Sequence, residues 1–136
     1  AYKSERVDST DFLMKLADSA VCPNLPLDDL NTGQLHKLYS SDRIAQTLGQ
    51  GVTTLTIKAC NLSELYEDGV VEYEDRDSLV EQMCELFNDD EKRRKIGETG
   101  HAIAHSRTNA TRIASYILSR TMGEGNPEIF WDGNAV

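Results

Sequence analysis

The feature that most constrains this chain is a change of period, made twice in its middle third, between helical spacing and short β-branched runs. Ser41 or Asp42 offers a helix cap, and the helix that follows is expected to end at Gly49 or Gly51. Residues 52–57 then read as a β-branched strand. Residues 62–68 fit one or two helical turns stopped by Gly69, and Val70 to Tyr73 has the character of a second short strand. Asp77 is placed to cap the next helix, where Leu79, Met83, Leu86 and Phe87 recur at offsets of four, seven and eight, one stripe for a core. Helix and strand alternating in this way specify a layered α/β fold, whose ligands sit beyond the strand ends.

The flanks extend the pattern. Asp8 to Asp11 supply caps for a short helix carrying Phe12, Leu13, Leu16 and Ala17. A brief strand is expected within residues 19–25, limited by Pro23 and Pro26. Residues 28–40 are polar, with Asn31, Thr32 and Gly33 as turn formers, and read as a loop rim. Asp89 and Asp90 restart a helix to about His105, and Thr108 or Asn109 restarts another carrying Ala110, Ile113, Ala114 and Ile117. The expected fold is therefore α/β: a Rossmann-like partial parallel sheet of about three short strands with a helical carboxy-terminal end. Residues 1–122 form this body and residues 123–136 a tail whose large aromatic groups are Phe130 and Trp131. A doubly wound domain has more strands, so the chain is half of one or its sheet is small.

A length of 136 residues suits one core. The net charge of −9 leaves no polybasic surface and argues against a nucleic-acid partner. The run Lys92, Arg93, Arg94, Lys95 follows Asp89, Asp90 and Glu91, an order that suits a solvated helix face. Cys22, Cys60 and Cys84 are widely spaced without a CxxC pair, so buried, reduced thiols are expected rather than zinc ligands or disulfides. No stretch approaches the roughly 20 apolar residues of a membrane span, and residues 1–11 lack an apolar leader region, so a cytoplasmic location is expected.

Chemistry concentrates at residues 41–52. A helix start there presents free amides, a hydroxyl from Ser41 and a guanidinium from Arg43, a set that can hold an anion. The competing reading has Ser41 and Asp42 merely capping the helix and Arg43 paired with an acid. His36, in the preceding rim, either approaches the same anion or is solvated. His101 and His105 have the spacing of two metal ligands on a helix, but no glutamate lies between them and no third ligand is evident, so a partly exposed face is expected and no metal is assigned. Glu72, Glu74 and Asp75 read as solvent-facing acids at a strand end, and no residue is assigned a catalytic role.

One resemblance joins these pieces. Ser41, Arg43 and Gly51, the strand 52–57, the turn from Leu65 to Gly69, and the stretch from Glu72 to Leu79 follow one another in a recognisable order. Asp90, Arg94, Ile96, Gly97 and Gly100, then Arg112 and Ile117, continue it. Over about residues 12–118 the chain resembles the carboxy-terminal part of the donor domain of GT-B glycosyltransferases, family-one-like and of the spore-maturation type. The resemblance implies binding of a nucleotide-diphosphate sugar as donor substrate, without metal or resident cofactor. Ser41 and Arg43 would meet the diphosphate, Gln46 the ribose, and Leu62, Ser63 and Glu64 the sugar. Gln46 departs from the glutamate usual there, and Leu38 stands where many relatives carry another. The acceptor domain and the first half of the donor domain are not in this sequence, so the isolated chain is expected to lack turnover. The alternative is a non-catalytic protein–protein interaction module anchored by the helical end and the Phe130–Trp131 tail.

Overall fold

The computed structural model describes residues 8–25 and 38–123. In chain order these form α1 (Ser9–Ala17), β1 (Val21–Pro23), α2 (Asp42–Gly49), β2 (Thr53–Ile57), a 3₁₀ turn, α3 (Ser63–Tyr66), a second 3₁₀ turn, β3 (Val70–Tyr73), α4 (Arg76–Asn88), α5 (Asp90–Arg107) and α6 (Ala110–Met122). The strands make one parallel sheet in the order β1-β2-β3, with Val21 beside Thr53 and Leu55 beside Val71. The expected α/β class, with a three-stranded parallel sheet and a helical end, is the observed one.

The central strand explains the layering. Every residue of β2 is buried, as a parallel strand covered on both faces requires. Two of its three threonine hydroxyls find partners: Thr54 Oγ1 donates to Thr47 Oγ1 at 2.8 Å and Thr53 Oγ1 to the Arg93 carbonyl at 2.6 Å, while Thr56 Oγ1 is buried with none among the described residues. Helices α2 and α5 pack on each other and on β2, while α4 runs against β1 and β3. Ile44, Leu48, Leu55 and Leu86 lie at the centre, each almost wholly removed from water. Burial of that kind contributes about 1.5–3 kcal/mol per side chain.

Helix α5 approaches the sheet closely through two glycines. A Cβ on Gly97 would stand 2.2 Å from the Gly51 carbonyl oxygen, and one on Gly100 would stand 2.7 Å from the Gly69 carbonyl oxygen. Gly51 itself has φ +74°, which favours glycine. Backbone therefore meets backbone at both loops, and α5 holds the end of α2 and the start of β3 together.

Several expectations need correction. Phe87 is 71% exposed rather than in the core. It lies roughly 80° around α4 from Leu79, against roughly 20° for Leu86, so it falls at the margin of the stripe. Cys84, roughly 140° from Leu79, is exposed rather than buried, whereas Cys60 is buried and Cys22 partly so. Ile113 and Ile117 share a face of α6, but that helix buries none of its residues.

The cap of α4 is Asp75, not Asp77. Asp75 Oδ1 accepts from the Ser78 amide at 2.8 Å while Ser78 Oγ accepts from the Asp75 amide at 2.9 Å, a reciprocal box that Asp77 has no partner to form. The Ser78 bonds hold the Asp75 carboxyl below its usual range. A folded-state value below the unfolded one means stability present at neutral pH and lost as pH falls through the folded value. We expect the gap in urea midpoint between the parent chain and Asp75→Ala to be constant from pH 7 to about pH 5 and to close below about pH 4, the unfolded carboxyl value. A gap independent of pH would show that the carboxylate is not what caps α4.

Candidate anion site at the carboxyl edge

All three strands point their carboxyl ends to one edge, and the functional candidates gather there. Asn24 follows β1, the turn Lys58–Cys60 follows β2, and Glu74 and Asp75 follow β3. Helix α2 runs back from this edge, so its amino terminus opens onto it.

The treatment of helix amino termini singles out α2. Among the described residues the other five α-helices each have a side-chain oxygen on an early amide: Asp8 for α1, Glu72 for α3, Asp75 for α4, Asp89 for α5 and Asn109 for α6. Ser41 stands in the cap position of α2 with extended backbone, yet its side chain makes no cap bond. Its hydroxyl turns away and donates to Asn24 Oδ1 at 3.0 Å. Arg43 Nη1 donates to the same oxygen at 3.3 Å. Among the described residues, neither a side-chain cap from Ser41 nor an acid paired with Arg43 describes this geometry, since the hydroxyl and the guanidinium both meet an amide. The first amides of α2 are left with the positive end of the helix dipole and a guanidinium beside them. Asp42, exposed in the same first turn, adds the one opposing charge.

The surroundings fit a polar anchor beside an apolar wall. A groove of about 620 Å³ begins at Ser41 and runs between α2, α3 and α6, lined by Leu38, Ala45, Tyr66, Ile113 and Ile117. A second cavity, about 660 Å³, lies at the opposite edge among Asp18, Gln50, Asp90 and Arg94. It is slightly larger, but it adjoins the strand starts, where a parallel α/β sheet seldom binds ligands. Cys22 sits close enough to Arg43 to feel its charge: burial pushes the thiol up, and the guanidinium partly opposes this.

The remaining sequence candidates distribute unevenly. Gln46 is exposed on α2, one turn on from Arg43. Leu62 is fully buried, so its side chain packs the core. Ser63 gives its amide to Glu72 Oε1 at 3.0 Å, and Glu64 is exposed. Glu72 thus closes the short helix α3 rather than facing solvent, unlike exposed Glu74 and Asp75. His36 and the pair Phe130 and Trp131 lie outside the described residues. His101 and His105 are both exposed, with ring centroids 4.1 Å apart, and His105 Nε2 lies 3.0 Å from the Gly49 carbonyl. Among the described residues no group of three or more metal-ligating side chains comes together. Nor is any described helix long and apolar enough to cross a membrane. Asn24, to which no sequence pattern points, is the residue on which Ser41 and Arg43 converge.

The sequence matches the family model described as glycosyl transferase-like over residues 1–119, which includes this whole edge. The chain belongs to that family. No curated protein and no solved structure matches it. Membership supports a glycosyltransferase role and gives the open end of α2 a chemical context, because glycosyl transfer moves a sugar away from a leaving group.

Proposed function

We propose that this chain is the donor-binding part of a glycosyltransferase of the GT-B type. It holds the diphosphate of a nucleotide sugar at the amino terminus of α2, and the sugar passes to an acceptor carried by another domain. The observation that carries this reading is that, among the described α-helices, α2 alone shows no side-chain oxygen on its first amides, and Arg43 lies in that same first turn. A diphosphate leaving group gains negative charge as the glycosidic bond breaks. Preorganised amides and a guanidinium stabilise that charge without reorganising and without a metal. Gln46, neutral and exposed, is placed to exchange hydrogen bonds with a ribose hydroxyl, more weakly than a glutamate would accept them.

A thermal-shift series with uridine, guanosine and adenosine diphosphates and their sugars tests this. We expect one base to raise Tm by several degrees at a concentration near 100 times its Kd, equivalent to about 2.7 kcal/mol. A specific observation favours the second reading, an interaction module: among the described residues no residue of α6 is fully buried, and Ile117, Leu118 and Met122 are exposed. An isolated helix of this length is marginal in water, so a covering surface would stabilise it. Flat thermal shifts together with a mass that grows with concentration would select the module.

A further inference from the structure

Asn24 is built more firmly than a surface loop residue needs. Its amide donates to the Leu55 carbonyl at 2.8 Å and its carbonyl accepts from the Tyr73 hydroxyl at 2.8 Å, so β2 and β3 both fix it. Pro23 precedes it, and Leu25, ahead of Pro26, is confined to extended backbone. The residue is only 6% exposed. Its side-chain orientation follows from chemistry: a guanidinium only donates, so the atom facing Arg43 is the oxygen and the NH₂ group points away. Oδ1 uses both lone pairs, on Ser41 and Arg43.

We propose that Asn24 is the positioning residue of the anion site: its side-chain carbonyl oxygen holds the Ser41 hydroxyl and the Arg43 guanidinium in place. This rests on the donor reading above. The choice of side chain has an electrostatic reason. A carboxylate at this point would grip Arg43 harder but cancel its charge and repel phosphate, whereas an amide orients the guanidinium and leaves its charge to the ligand. Holding Ser41 also keeps its hydroxyl off the helix amides.

The test is an NMR titration of the 136-residue chain with inorganic pyrophosphate, which requires no knowledge of the base, repeated with uridine and guanosine diphosphates. Asn24→Asp keeps shape and acceptors, and we expect it to weaken pyrophosphate binding about tenfold or more while Tm stays nearly unchanged. Asn24→Ala should weaken it less, and in combination with Arg43→Ala should add little to the loss from Arg43→Ala alone, because the two act as one unit. A merely structural asparagine would lower Tm and show neither the charge-selective loss nor the non-additivity. One arm needs no ligand: the carboxyl of Asn24→Asp should titrate about one unit higher when Arg43→Ala is added. Unaltered pyrophosphate binding in Asn24→Asp, with binding lost in Arg43→Ala, overturns the proposal. If the parent chain binds neither pyrophosphate nor any diphosphate, the donor reading falls. A carboxyl titration indifferent to Arg43 would then also remove the tether.

Discussion

Replacing Gly97 by alanine is expected to lower the unfolding free energy by about 3 kcal/mol, the upper part of the range for overpacked sites. For a chain of this size that corresponds to a fall in Tm of roughly 10 °C. The added Cβ would lie 2.2 Å from the Gly51 carbonyl oxygen, closer than real Cβ contacts come, and the obstacle is backbone rather than a side-chain tip that can swing aside. Relief requires α5 to lift from the β2 edge. The same helix carries Gly100 against Gly69 and His105 against the Gly49 carbonyl, so the displacement would propagate to α2. Gly49→Ala is the internal control. Nothing lies within 4 Å of the place its Cβ would take and its φ is not positive, so the change is expected to be neutral or stabilising by up to about 1 kcal/mol. Urea denaturation of the three chains decides the matter. A Gly97→Ala chain within about 1 kcal/mol of the parent would mean that α5 does not seat this closely.

Gly97 and Gly100 also show what a sequence reveals and what it hides. Both are visible as spaced letters of a family pattern, yet nothing local to 97–100 says that the partners are Gly51 and Gly69, far earlier in the chain. The alternation of periods is legible because strand and helix impose it residue by residue. The caps at Asp89 and Asn109 are legible for the same reason: a cap bond spans three residues. Asp75 is equally readable, since Ser78 stands at the spacing of a capping box, but Asp77 lies nearer the apolar stripe and competes for the role on composition alone.

Exposure is not legible. Spacing tells which residues share a face of α4 or α6 but not whether anything covers that face, and so the periodicity of Phe87, Ile113 and Ile117 predicts a core that does not reach them. In the candidate site, Ser41 and Arg43 stand out because helix starts carry a recognisable composition. Asn24 leaves no such trace. Its contacts with Ser41, Arg43 and Tyr73 cross 17, 19 and 49 residues, and in sequence it is one polar residue between two prolines.

Arg43→Ala in the enzyme containing this chain is expected to cut kcat/KM for the sugar donor by about 100-fold, near 3 kcal/mol, the scale of hydrogen bonds to a charged group. The fold should be indifferent to the change. Arg43 is exposed, and Asn24, to which it donates, keeps its main-chain bonds to Leu55 and Tyr73 when the guanidinium is removed. How the loss divides between kcat and KM is informative in itself. Contact with the diphosphate alike in ground and transition states would appear mainly in KM. Contact that strengthens as the leaving group gains charge would appear in kcat, and this is the expected pattern, because in the proposed donor site the amides of α2 and the guanidinium would face the oxygens on which that charge develops. Arg43→Lys should recover only part of the activity: an ammonium restores the charge but not the planar fork that can meet Asn24 Oδ1 and a phosphate oxygen together. Kinetics unchanged by Arg43→Ala would separate α2 from donor chemistry altogether and leave the exposed face of α6 as the functional surface of this chain.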